Sequence, residues 1–137
     1  ACVAYTRRPE AFGTRKGDNS PMTITRYHTR ARMSQIVIHR DTVYTAGQVT
    51  DTAPGATVTE QTQNILKRID SLLGEAGTDK SKLLSATIWL SDMRYYDEVN
   101  AVWDAWTDPG NAPARACVEA RLAFPQFDVE IAVIAAK

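Results

Sequence analysis

A two-layer α+β domain, one mixed β-sheet carrying two helices on a single face, is what this sequence predicts, and three observations carry the prediction. Runs of β-branched and aromatic residues alternating with polar ones occupy residues 34–49 and 114–135. Two amphipathic helical stripes, at 57–77 and 92–110, separate them, and one compact apolar run at 82–91 lies between the stripes. Each stripe needs a sheet to bury against. The order β-β-α-β-α-β-β satisfies both when the helices share one face and the crossovers run right-handed.

The elements follow in order. From Ser34, the residues Gln35, Val37 and His39 alternate with Ile36, Ile38 and Arg40, and Arg40-Asp41 makes a short turn into the run from Thr42 to Val49. Alternation and β-branched content predict a hairpin. Gly47 within its second strand marks a bulge or a point where another group comes close to the backbone. Asp51 to Ala56 is a loop. Thr57-Val58-Thr59-Glu60 then has the capping-box form, a hydroxyl followed three residues on by a carboxylate. Ile65, Ile69, Leu72, Leu73 and Ala76 fall on one helical face, and Gly77 supplies the left-handed stop.

Lys82 to Ser91 predicts a central strand buried on both faces. Asp92 is placed to cap a second helix in which Tyr96, Val99, Trp103 and Trp106 recur at helical spacing, with both tryptophans read as core, and Asp108-Pro109-Gly110 ends it. A turn through Pro113 leads to the last two strands. In the first, Arg115, Cys117, Glu119 and Arg121 share one side and Ala116, Val118, Ala120 and Leu122 the other. The apolar side is expected to meet the core.

Composition narrows the function. At 137 residues the chain is one domain's worth, and its 16 basic and 16 acidic side chains leave a formal net charge of zero, so no global field draws in nucleic acid or an anionic membrane. No run approaches the ~18 apolar residues of a membrane helix. Cys2 and Cys117 are too few for a disulfide framework and no hydrophobic signal segment is visible, which makes a reducing cytoplasm the expected location. His28 and His39 belong to no cluster with metal-ligand spacing, so no metal is expected. Residues 1–21 lack any period and carry Arg7, Arg8, Arg15 and Lys16 against Glu10 and Asp18. They read as a flexible leader, left by expression or by a misassigned start, ahead of a single domain at 22–137; the rival reading is a basic arm docked on a partner subunit.

The chemistry concentrates near the C-terminus. A guanidinium at Arg115, just past a proline-ended loop, can fork onto a carboxylate and cannot lose its charge. It points to an anionic ligand, unless Glu119 or Glu130 pairs with it. Glu130, between Val129 and Ile131, is placed to pair across the strands with Arg115 or Arg121. Cys117 has no base or cationic cluster beside it in sequence and reads as a small apolar group rather than a nucleophile. Asn100 reads as a surface or loop-anchoring amide.

The order Pro113-Ala114-Arg115-Ala116-Cys117-Val118-Glu119, the strand from Val129 to Ala135 close behind it and Thr45-Ala46-Gly47-Gln48-Val49 far upstream resemble the Rid (YjgF-like) family of enamine/imine deaminases, from about Met33 to Ala136. The resemblance implies a chorismate-mutase-like fold assembled as a homotrimer with ligand clefts between subunits. It implies cofactor-free hydrolysis of a carboxylate-bearing imine or enamine to a 2-oxo acid and ammonium. In that reaction Arg115 grips the carboxylate, Glu130 holds or deprotonates a water, and Cys117, Asn100, Gly47 and Met33 fall at pocket positions. Two positions depart from the deaminase pattern: Met33 stands where a tyrosine is usual, and Ala46 where a hydroxyl is usual. Losing both removes hydrogen-bonding capacity. A second expectation is therefore a trimer that binds a 2-oxo acid in the same cleft without chemistry. An endoribonuclease is a third, opposed by the neutral charge and the lack of a histidine pair.

Overall fold

A computed structural model describes residues 23–137; the expected leader and Cys2 lie outside the described residues. The strands are β1 (Ile24–Tyr27), β2 (Ile36–His39), β3 (Thr42–Thr45), β4 (Leu83–Leu90), β5 (Ala114–Glu119) and β6 (Val129–Ala136), and the helices are α1 (Val58–Glu75) and α2 (Tyr96–Trp106). They build one six-stranded mixed sheet in the order β1-β2-β3-β6-β4-β5. β4 and β5 run parallel, while the other neighbours are antiparallel.

The order is thus β-β-β-α-β-α-β-β, one strand more than expected. All four residues of β1 are exposed, so it carries no alternation of burial for a sequence pattern to reveal. Backbone pairing holds it instead, with Ile24 opposite His39 and Tyr27 opposite Ile36.

Helix α1 begins and ends as its sequence predicts. Thr57 Oγ1 accepts from Glu60 N at 3.1 Å and Glu60 Oε2 accepts from Thr57 N at 2.9 Å, a reciprocal capping box. At the other end Gly77 has φ +81. Thr78 N donates to Leu73 O and Gly77 N to Gly74 O, the two bonds of a Schellman stop. Ile65, Leu66, Ile69 and Leu73 from α1 and Val99 and Trp103 from α2 bury against Ile36, Ile38, Val43, Ala86, Ile88, Leu90, Val129, Ile131, Val133 and Ala135 of the sheet. Each large aliphatic side chain buried there stabilises the fold by about 1.5–3 kcal/mol. Asp92 caps a 3-10 turn at Met93–Tyr95 rather than α2 itself, accepting from Arg94 N at 2.8 Å, and that turn runs straight into the helix.

Two expectations about faces are corrected. β4 lies inside the sheet, between β6 and β5, but is closed on one side: Leu83, Ala86, Ile88 and Leu90 are buried, whereas Leu84 is 50% exposed. Both helices cover the same face. The opposite face presents Tyr44, Leu84 and Val118 to the outside of the chain. On β5 the apolar side is the outer one, since the parallel register sets Arg115 beside Ala86 and Cys117 beside Ile88, on the side facing the helices. An edge strand tolerates this because a long side chain can run past the rim of the covering helix into solvent.

The second strand of the hairpin ends at Thr45 rather than Val49, and its continuation is bulged. Tyr44 pairs with Ile134 and Gln48 bridges to Ile131, so one residue more is used on this strand than on β6. Gly47 sits in that extra length.

Candidate functional site

Arg115 is positioned by β5 and oriented by α2. Tyr96, Asn100 and Trp103 lie at i, i+4 and i+7 on α2 and so share one helix face. Arg115 Nη1 donates to Asn100 Oδ1 at 2.7 Å and Nη2 donates to Tyr96 Oη at 3.4 Å. The guanidinium carbon stands 5.6 Å from the Trp103 ring centroid and 5.9 Å from that of Tyr96, a distance at which ring faces attract a cation. Among the described residues no carboxylate pairs with Arg115: Glu119 Oε2 instead accepts from Met93 N at 3.0 Å. The result is a half-buried cation with a fixed direction, two neutral partners and no counter-ion. It can receive a carboxylate.

Cys117 shares this side of β5 and packs against the core. Burial pushes its thiol above the ordinary range, and the nearby Arg115 charge only partly offsets that. At neutral pH it is a thiol, not a thiolate nucleophile.

Glu130 is elsewhere. It pairs across the sheet with Trp89, and Trp89 alternates with Ile88, the residue beside Cys117. Glu130 and Arg115 therefore lie on opposite faces of one chain's sheet, with β4 between their strands, and no cross-strand ion pair joins Glu130 to Arg115 or Arg121. The Glu130 carboxyl presses on Gly47, where a Cβ would stand 2.6 Å from Oε1. Any side chain at position 47 would push the carboxyl out of this place. Burial, with no cation beside it, raises the Glu130 carboxyl above the usual carboxylate range.

The expected site residues thus form two groups and an outlier. Arg115, Asn100 and Cys117 gather at the β5 edge under α2, whereas Glu130 and Gly47 gather on the outer face. Met33 is exposed in the β1–β2 loop, its carbonyl accepting from Arg30 N at 2.8 Å. Ala46 is held at the hairpin's end by its own N–H on Gln35 O. Trp103, expected in the core and buried there, and Tyr96, half-exposed on the same stripe, also serve as the platform for Arg115. The available signal was Asn100, a polar residue one turn from Tyr96 and from Trp103 on an otherwise apolar stripe.

A surface cavity of about 670 Å³ follows the β5–β6 connection past Arg121, Leu122, Phe124 and Phe127 and includes neither Arg115 nor Glu130. Among the described residues no cluster of three or more His, Cys, Asp or Glu could hold a metal ion, and no helix is long and apolar enough to cross a membrane.

Comparison with known proteins gives the family. The sequence profile described as Endoribonuclease L-PSP matches residues 23–137. A RutC family protein of Haemophilus influenzae is 45% identical over 114 residues, covering 83% of this chain and 98% of its own. The RutC family protein YoaB of Escherichia coli is 43% identical over 115 residues, covering 84% and 99%. The crystal structure of a YjgF-family protein from Neisseria meningitidis superposes with a TM-score of 0.81 at 46% identity, over 85% of this chain and 96% of that one. With the six-stranded mixed sheet, its two helices and a match spanning every described residue, the chain belongs to the Rid (YjgF/RutC) family.

Proposed function

We propose that this protein is a cofactor-free deaminase that hydrolyses carboxylate-bearing imines or enamines to a 2-oxo acid and ammonium. The observation that carries the reading is Arg115: a guanidinium fixed by Asn100 and Tyr96, set against Trp103, and lacking any acidic partner among the described residues. A carboxylate bound there fixes the adjacent C=N carbon for attack. Water adds to the protonated imine, giving a carbinolamine, which expels ammonia and leaves the ketone. A positioned carboxylate that takes the water's proton is worth about 10²- to 10⁴-fold, and Glu130, with its raised proton affinity and no cation to hold it ionised, suits that part.

Arg115 and Glu130 face opposite sides of one chain. They can act on one substrate when Glu130 comes from a neighbouring subunit, which makes a homotrimer with clefts between subunits part of the proposal. The half-exposed Tyr44, Leu84 and Val118 on the outer face support such packing. Sedimentation is expected to give three chains per particle, and a clean monomer would undo the shared cleft.

A second reading, binding of a 2-oxo acid without turnover, is favoured by Met33 and Ala46, which offer no side-chain hydrogen bond where a phenol and a hydroxyl would. The endoribonuclease of the matching profile's description finds little support: His28 is engaged by Glu75 at 2.7 Å and His39 lies in β2, so the two histidines form no acid–base pair.

The deciding experiment measures ammonium and 2-oxo acid released from freshly generated imino acids of several side-chain sizes, with wild type beside Arg115→Ala. Arg115-dependent acceleration establishes the deaminase. Saturable 2-oxo acid binding without acceleration establishes the binding protein.

A further inference from the structure

From Thr23 to Arg40 the chain carries Arg26, His28, Arg30, Arg32, His39 and Arg40 and not one Asp or Glu. Nothing in the proposed deaminase site uses this stretch of charge. The β1–β2 loop is closed on itself by Arg30 N to Met33 O at 2.8 Å, Gln35 N to Tyr27 O at 3.1 Å and Thr29 Oγ1 to Ser34 Oγ at 2.8 Å, and His28 Nε2 joins it to Glu75 of α1 at 2.7 Å. Beneath it lies a cavity of about 350 Å³ lined by His28, Arg30, Gln35, Gln48, Arg68 and Ser71. That volume is within the usual range for small-molecule sites.

The floor of this cavity is built and its cations are under-used. Gln48 is 2% exposed, and its Nε2 donates to Gln35 Oε1 at 2.7 Å and to Ala46 O at 3.0 Å. The amide is thereby locked with Oε1 toward Arg68. Arg68 Nε and Nη2 both reach that single oxygen, each at 3.4 Å. A guanidinium edge shaped for two oxygens is sharing one, at the long end of the hydrogen-bond range. Asp51 takes only the outer nitrogen, Nη1, at 3.1 Å. Glu75 is engaged by His28 at 2.7 Å. The Arg30 guanidinium has no partner among the described residues.

We propose that this cavity is a second ligand site, taking a phosphate group or an equally compact oxyanion between Arg30 and Arg68. Within one chain it is separate from Arg115, since β1 and β5 are the two opposite edges of the sheet, and its floor, Gln48, is engaged with Gln35 and Arg68 rather than with Glu130, which lies against Gly47. An oxyanion there supplies the second oxygen that the Arg68 edge lacks and the first partner for Arg30, while Ser71 offers a hydroxyl donor. The ligand class is a phosphorylated metabolite small enough for the cavity, or free phosphate itself.

The test is a titration of the full-length protein with inorganic phosphate, followed by amide NMR shifts, against sodium chloride at matched ionic strength. Saturable shifts at residues 28–35 and 68–72, beyond the chloride control, are expected. Arg30→Glu is expected to weaken phosphate binding about tenfold or more, the scale of one lost charge-assisted contact. Arg68→Lys keeps the charge but removes the paired donors and is expected to weaken it as well. Arg115→Ala is expected to leave it within about twofold, and Arg30→Glu to leave 2-oxo acid affinity unchanged. Replacing phosphate with a small sugar phosphate separates the two sources: tighter saturation at the same residues assigns a metabolite, and equal or weaker saturation assigns free phosphate. The proposal is overturned if phosphate shifts match those of chloride, if they saturate only around Arg115 and Asn100, or if both Arg30→Glu and Arg68→Lys bind as wild type does.

Discussion

Arg115 on β5 and Asn100 on α2 are joined by a 2.7 Å hydrogen bond from Nη1 to Oδ1, so the direction of the guanidinium is set by a helix rather than by its own strand. Arg115→Ala is expected to abolish 2-oxo acid binding with the assembly intact. Asn100→Ala frees the guanidinium and is expected to weaken binding about tenfold, as loss of a hydrogen bond to a charged group does. Asn100→Asp supplies the missing counter-ion and is expected to weaken it further, by competing with the ligand. Calorimetric titration with a 2-oxo acid, with light scattering for the particle mass, reads all three. Unchanged affinity in Arg115→Ala refutes the carboxylate role.

Glu130→Gln keeps the shape of the side chain and removes its basicity. Turnover of imino acids is expected to fall by about 10²- to 10⁴-fold while 2-oxo acid affinity changes little. Steady-state kinetics beside direct binding distinguishes this from a structural part, for which both would fall together.

The same substitution carries a stability signature with a definite sign. Burial raises the Glu130 carboxyl in the folded chain, so the folded state holds this proton to higher pH than the unfolded one. The stability it contributes is fully present below the ordinary glutamate range and is lost as pH rises through the raised folded value. Glu130→Gln is therefore expected to give a small rise in melting temperature near neutral pH, which disappears in acid. A melting series across pH checks it, and a loss of stability at neutral pH would contradict it.

Gly47→Ala places a Cβ 2.6 Å from Glu130 Oε1, 3.1 Å from Cδ and 3.3 Å from Cγ. The carboxylate is the far end of a flexible side chain, so the fold is expected to survive and the carboxylate to swing away. Displacement of about 1 Å at a reacting group costs on the order of 10²-fold. Made on top of Glu130→Gln, the change should cost little more, because the two act on one group. Additive losses in the double variant would show that Gly47 matters for some other reason.

Cys117 is held as a thiol by burial. In a Cys2→Ser background its alkylation by iodoacetamide is expected to be slow at neutral pH and to accelerate only in alkali, beyond the range of a free cysteine. Cys117→Ser is expected to keep turnover within a few-fold of wild type. Fast alkylation at neutral pH, together with loss of turnover, would make it a nucleophile after all.

Much of the scaffold was legible because its signals are local. The Thr57–Glu60 box, the α1 stripe and the Gly77 stop each lie within a few residues, and the same short-range bonds form them in the folded chain. Gly47 was legible as a close approach, though not what approaches it. β1 was not legible, since four exposed residues have no burial pattern and only a backbone ladder holds them. Tyr96 and Trp103 concealed a second part behind the helical spacing that core residues share.

By itself the sequence determined the order of the predicted elements, the ends of α1 and the grouping of Arg115 with Cys117 on one side of a strand. Period-two alternation establishes which residues share a side. It is silent on which side meets the helices, because that depends on the neighbouring strand's register and on what packs over it. Only the tertiary structure, through Ala86 beside Arg115, Ile88 beside Cys117 and Glu130 opposite Trp89, turned Arg115 toward α2 and Glu130 away from it.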